Sequence, residues 1–190
     1  MAHELIVTPG VFLAAAPDLL DPNFMHSVVL LCSHSEEGAY GLVLNRASNF
    51  RAREVLGSHD TLSRSTLRVY VGGPVSLDTL QILHRAPDVI QGGLPLVPGL
   101  WIGGELDDIG RLCVDDPTRA ERDVRLYLGY SGWGAGQLEG ELSSGSWLPA
   151  PGKLERIFQF DTERLWRDVI TDLGPEFRPL AFEPPEPEWN

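Results

Sequence analysis

The run Ser27 to His34, Ser-Val-Val-Leu-Leu-Cys-Ser-His, is rich in β-formers but lacks the strict alternation of a half-exposed strand. A strand of this kind has to be covered on both faces, so it belongs at the centre of a sheet with material packed above and below it. A turn containing Glu and Gly, Ser35 to Gly38, leads to a second β-rich run, Tyr40 to Asn45, and the pair is expected to form an antiparallel hairpin with a longer loop. With 190 residues and 43% hydrophobic content, the chain can bury one proper core and is short for two full domains. One domain over residues 1–174 is therefore expected.

Further strands are expected at Leu67 to Val71, ending on Gly72-Gly73-Pro74, at Leu80 to His84, and at Val124 to Tyr130. From Arg85 to Asp116, repeated Pro and Gly read as loop, with only a short helix near Glu105 to Cys113. Asp116 before Pro117 is an N-cap signal for another short helix, and Gln137 to Leu142 suits one or two helical turns. The plainest helix is Thr162 to Leu173. Leu165, Trp166, Val169, Ile170 and Leu173 share one face, Asp161 caps the start, Phe160 and Leu165 suit a hydrophobic staple, and Gly174-Pro175 stops the helix. Residues 175–190 mix Pro with Glu, a composition that resists folding alone and predicts an extended tail.

A formal net charge of −12 disfavours partners whose affinity depends on neutralising phosphates, which sets nucleic acid aside as the leading partner. The N-terminus Met-Ala-His-Glu has no basic region, and the apolar stretches Val11 to Ala16 and Val28 to Cys32 fall far short of the roughly 20 residues of a membrane span. A cytoplasmic protein is expected. Cys32 and Cys113 form no Cys-x-x-Cys pair, so reduced thiols are the default and no zinc ribbon is suggested.

The segment Gly129-Tyr130-Ser131-Gly132-Trp133-Gly134-Ala135-Gly136-Gln137-Leu138-Glu139-Gly140-Glu141-Leu142, followed by Trp147, resembles the signature of the bacterial YqgE/AlgH family. Similar blocks occur in the same order: Gly10 to Leu13 with Ala15; Asp21 through Phe24 to Val28 with His34, Gly38, Gly41 and Asn45; Gly72-Gly73-Pro74 with His84; and Phe160-Asp161 with Leu165-Trp166. The stretch Arg85 to Asp116 departs from the pattern. The resemblance implies an α+β fold with a mixed, largely antiparallel sheet curled into a pseudo-barrel and flanked by helices. It carries no accepted catalytic residues, and a regulatory name attaches to the family through an effect on transcription of polysaccharide genes.

Chemistry has therefore to be argued from residues. Ser131 sits in Gly-Tyr-Ser-Gly-Trp-Gly, which differs from the Gly-x-Ser-x-Gly elbow of hydrolases, and no histidine follows it. The glycines lack the spacing of a phosphate loop and serve best to turn the chain and admit Tyr130 and Trp133. Cys32 and His34 are two apart on a strand and share a face, which opens a thiolate–imidazole pair or half a metal site against the plainer reading of a buried thiol and a hydrogen-bonded histidine. No cofactor or metal is implied, because the other histidines show no ligand spacing. If the strand ends lie on one rim, His34, Asn45, Arg46, Tyr130, Ser131 and Trp133 form a binding site for a small polar molecule or a protein partner. The resulting expectation is a non-enzymatic regulatory or binding protein. Two alternatives are an enzyme using Cys32 or His34 and a DNA-binding regulator using Arg46, Arg51, Arg53, Arg64 and Arg68.

Overall fold

A computed structural model describes residues 5–182. In chain order its strands are β1 Phe12–Ala15, β2 Val28–Ser35, β3 Gly38–Val43, β4 Ala47–Arg51, β5 Arg68–Val71, β6 Val75–His84, β7 Leu94–Val97, β8 Leu100–Ile102, β9 Val124–Gly134 and β10 Trp147–Ala150. The α-helices are α1 Ala52–Val55, α2 Leu106–Asp115, α3 Pro117–Asp123, α4 Gln137–Ser143, α5 Leu154–Ile157 and α6 Leu165–Asp172. The chain divides into two compact units: residues 1–46 with 131–190, and residues 47–130. Strand β9 supplies its first seven residues to the second unit and Ser131 to Gly134 to the first.

In the first unit the strand order is β10-β1-β2-β3-β9, antiparallel throughout. Val28 to Leu31 of β2 are all fully buried, as the unalternating run requires, because β2 is flanked by strands on both sides and covered on both faces. Leu13, Ala15, Val29, Leu31, Trp133, Leu138 and Trp147 form one face's core, which carries α4. Side chains alternate along a strand, so Phe12, Ala14, Val28 and Leu30 take the opposite face. Helix α6 packs against β1, β2 and β10, and its Leu165, Trp166, Val169 and Ile170 are all buried. The Trp166 indole donates to the Ala15 carbonyl at 2.8 Å. Gly41 lets β2 and β3 approach, since a Cβ there would stand 2.6 Å from Val29 Cγ1 and 2.8 Å from the Leu30 carbonyl.

In the second unit the order is β4-β5-β9-β6-β8-β7, with β5 and β9 parallel and the other pairs antiparallel. Leu67, Val69, Ile82, Leu126, Ile109 and Leu112 build its core, with α2 supplying the last two. The sheet in each unit is open, with unpaired edge strands, so the mixed, mainly antiparallel α+β arrangement curls without closing into a barrel.

Several local expectations change. The β2–β3 connection is a tight one, Ser35 pairing with Gly38 across Glu36 and Glu37, and Gly38 takes a φ of +141°. Strand β6 begins at Val75, and β9 continues past Tyr130 to Gly134, because Gly129, at a φ of +69°, bends within the strand instead of ending it. The loop-rich stretch contains the β7–β8 hairpin turning at Pro98-Gly99. Pro95 is tolerated in β7 because that strand lies on the sheet edge, where a missing N–H leaves no ladder bond broken. Helix α2 runs to Asp115, and Asp116 caps α3 by accepting from Arg119 N at 2.9 Å. Asp161 caps a 3-10 turn, Thr162–Arg164, that leads into α6, but Phe160 is 70% exposed and makes no staple. The expected extended tail begins instead with a 3-10 helix, Arg178–Phe182, whose Ala181 is buried; residues 183–190 lie outside the described ones. Among the described residues no helix is long and apolar enough to cross a membrane.

Candidate functional site

The first unit contains a cavity of about 250 Å³ lined by Leu19, Asp21, Phe24, Gly132, Trp133, Gln137, Glu141, Ser146 and Trp147. Its floor is built by the glycine-rich signature. Trp133, near the end of β9, and Trp147, which opens β10, turn their rings into contact at 5.9 Å between centroids. Both indole N–H groups donate to the same oxygen of Glu141, at 2.9 Å from Trp133 and 2.7 Å from Trp147. The other Glu141 oxygen accepts from Gln137 Nε2 at 3.0 Å, and Gln137 Oε1 accepts from Gly134 N at 3.0 Å. Residues 137 and 141 are one helical turn apart, so α4 presents both to the same place. Three neutral donors thus fix the position of the Glu141 carboxylate.

The remaining wall is the segment before β2. Phe24 stacks on Trp133 at 6.4 Å and meets Trp147 edge-on at 5.5 Å. Two residues expected in the site hold this segment from behind. Asn45 accepts from Val28 N at 2.9 Å and donates to the His26 carbonyl at 2.9 Å, while Arg46 donates to the Pro22 carbonyl at 2.8 Å and the Met25 carbonyl at 3.3 Å.

The expected rim therefore does not assemble as one. His34 pairs with Ala39 at one end of the β2–β3 hairpin, whereas Asn45 bonds Val28 at the other, because antiparallel strands put the C-terminal end of one beside the N-terminal end of the next. Ser131 is fully buried opposite Gly41, which removes it from any role as an exposed nucleophile. Tyr130 belongs to the second unit, opposite Val75. Of the six, Trp133 lines the cavity, Asn45 and Arg46 position its wall, and His34 pins its helix. Ala39 lies between His34 and Trp133 in one cross-strand row, and the His34 ring reaches Glu139 of α4 at 2.6 Å through Nε2 and the Val7 carbonyl at 3.1 Å through Nδ1. Both partners are acceptors, so the imidazolium suits the position. The Glu139 carboxylate, then the Val7 carbonyl, hold its pKa above 6.5.

Cys32 does not pair with His34. Its Sγ contacts the Leu30 carbonyl at 3.5 Å, and burial pushes the thiol up to about 12. A bulge between Leu31 and Ser33 breaks the alternation that would have put Cys32 and His34 on one face. Among the described residues no group of three or more His, Cys, Asp or Glu side chains is arranged to hold a metal ion.

Phe24, Asp21, Gln137, Glu141 and Trp147 were missed as site residues. One signal was available for three of them: two tryptophans flanking a Gln-x-x-x-Glu helix need acceptors for their N–H groups once buried.

The AlgH-like family model matches residues 12–178, and the chain belongs to that family. It is 38% identical over 191 residues to the UPF0301 protein CT0663 of Chlorobaculum tepidum, with all of both chains covered. It is 33% identical to the UPF0301 protein CF0373 of Chlamydia felis, covering 94% of this chain and 93% of that one. The solution structure of the AlgH protein from Pseudomonas aeruginosa superposes with a TM-score of 0.71 at 31% identity, covering 97% and 98% of the two chains. The crystal structure of protein DIP2367 from Corynebacterium diphtheriae shares the fold with a TM-score of 0.75 at 22% identity over 94% of each chain.

Proposed function

We propose that this protein is a non-enzymatic binding protein whose ligand, a small molecule or the side chain of a partner, enters the cavity of the first unit. The observation that carries the reading is the fixed carboxylate of Glu141 beneath the aromatic walls of Phe24, Trp133 and Trp147. A concave, largely apolar space with a few polar groups held in place is what small-ligand sites have in common. The alternative enzyme finds less support. A thiol pushed up to about 12 offers almost no thiolate at neutral pH, and His34 is engaged on both nitrogens.

The test is an NMR titration of the protein with a soluble extract of its own cells, proteins included. Binding shifts the indole N–H signals of Trp133 and Trp147. An extract that moves neither indole signal overturns the reading.

A second reading, a DNA-binding regulator, draws on the second unit, where Arg51 and Arg68 face each other across β4 and β5 and Arg53 follows on α1. Duplex binding that weakens steeply with salt and is lost in Arg51→Glu supports it, and no retardation at low salt ends it.

A further inference from the structure

We infer that the cavity of the first unit selects small organic cations, alkylammonium groups foremost; the inference rests on reading the cavity as a binding site. Among the described residues, its lining includes the carboxylates of Asp21 and Glu141 and no Lys, Arg or His. Neither carboxylate enters an ion pair among the described residues. The contrast lies within one helix: Glu139 is matched by His34 at 2.6 Å, while Glu141, two residues on, receives only neutral donors. Hydrogen bonds from indole and amide hold it in place without a compensating positive charge.

The same bonds deprive the cavity of donors. The N–H groups of Trp133 and Trp147 are spent on Glu141, as is Gln137 Nε2, and Gly134 N is spent on Gln137. An anion entering here meets two carboxylates and few free hydrogens, whereas a cation meets charge of opposite sign. The aromatic walls act in the same direction. The faces of aromatic rings carry negative potential, and a cation within about 6 Å of a ring centroid is attracted, more strongly as it loses water. The centroids of Phe24, Trp133 and Trp147 lie 5.5 to 6.4 Å from one another, so a ligand in a space of about 250 Å³ bordered by them has a ring close by. That volume suits a group of a few heavy atoms. An alkylammonium combines a positive charge for Glu141 with an apolar surface for the rings.

The experiment titrates the full chain with choline, with 3,3-dimethylbutanol as its uncharged isostere, and with acetate, following the indole N–H signals of Trp133 and Trp147. Choline is expected to shift both signals saturably, and the isostere to bind about tenfold more weakly or worse. Asp21→Asn, which keeps the acceptor that Asn23 N uses, is expected to weaken choline about threefold and leave the isostere unchanged. Because Asp21 is exposed, that variant tests charge without disturbing the Glu141 lock. Isostere or acetate binding as tightly as choline overturns the cation inference and leaves the binding cavity standing. The cation inference alone also falls if cell extract moves the indoles and choline does not. If neither extract nor any of the three compounds moves them, both readings fall together.

Discussion

The cavity of the first unit and the surroundings of His84 in the second treat polar groups in opposite ways. Around the cavity of the first, polar atoms are matched to one another: Glu141 accepts three donors beside a cavity of about 250 Å³. Around His84 in the second, packing is close and a polar atom is left over. His84 is fully buried, its Nδ1 accepts from Ala86 N at 3.2 Å, and its Nε2 has no hydrogen-bond partner among the described residues. Gly93 packs so closely that a Cβ there would stand 2.7 Å from that nitrogen. Burial lowers the His84 pKa, which keeps the ring neutral. Nearby, Asp123 is buried under the guanidinium groups of Arg85, Arg119 and Arg122. The difference teaches where a ligand has room: the first unit sets a hydrogen-bonded carboxylate beside a cavity, whereas the second packs closely around His84 and carries a charge network at Asp123.

The largest effect that would sharpen this contrast is expected at Asp123. Arg122 first, then Arg85, hold its pKa down to about 2 from an ordinary 3.8. A group with a depressed folded value contributes stability above its unfolded value, so the contribution is complete above pH 3.8 and is lost as the pH falls toward 2. Asp123→Ala is expected to cost about 2 to 3 kcal/mol at neutral pH in chemical denaturation, less than a fully buried pair because the arginines reach solvent. It is also expected to flatten the acid limb of the stability profile. A loss below about 0.5 kcal/mol would break the assignment of stability to this network.

A smaller effect is expected at the cavity. Trp147→Phe keeps a ring in place but removes one donor from Glu141, and a loss of about 1 to 2 kcal/mol in the same assay is expected. Were it to destabilise the chain more than Asp123→Ala, the cavity lock would be part of the structural frame and the comparison would fail.

The smallest effect concerns His34. Its raised folded pKa means that its contribution is complete below pH 6.5 and is lost as the pH rises through the folded value. Following the His34 ring protons by NMR should give a midpoint above 6.5, and Glu139→Gln should lower it. An unchanged midpoint in the variant would show that Glu139 is not what holds the proton.

Much of the frame was legible from local chemistry. The unalternating run at Ser27 to His34 announced a strand covered on both faces, Asp116-Pro117 announced the start of α3, and the apolar stripe from Leu165 to Ile170 announced a helix with one buried side. The β7–β8 hairpin was not legible, because Pro95 and Pro98 disfavour a strand until the sheet edge makes them harmless. The cavity was half legible. Trp133 could be named from the signature, but Asp21 and Phe24 lie in a segment that reads as a connector and becomes a wall only because Asn45 and Arg46 grip it from more than fifteen residues away.

Hydrophobic periodicity, capping and turn-forming glycines determined most of the element types, and a net charge of −12 disfavoured phosphate-rich partners, without help from the tertiary fold. Only the tertiary structure decided which polar groups meet. Strand direction separated His34 from Asn45, the β2 bulge separated Cys32 from His34, and the approach of β9, β10 and α4 brought two indoles onto one carboxylate. The physical reason is range. A helix or turn depends on neighbours a few residues away, while a site depends on register and packing between segments that the sequence places far apart.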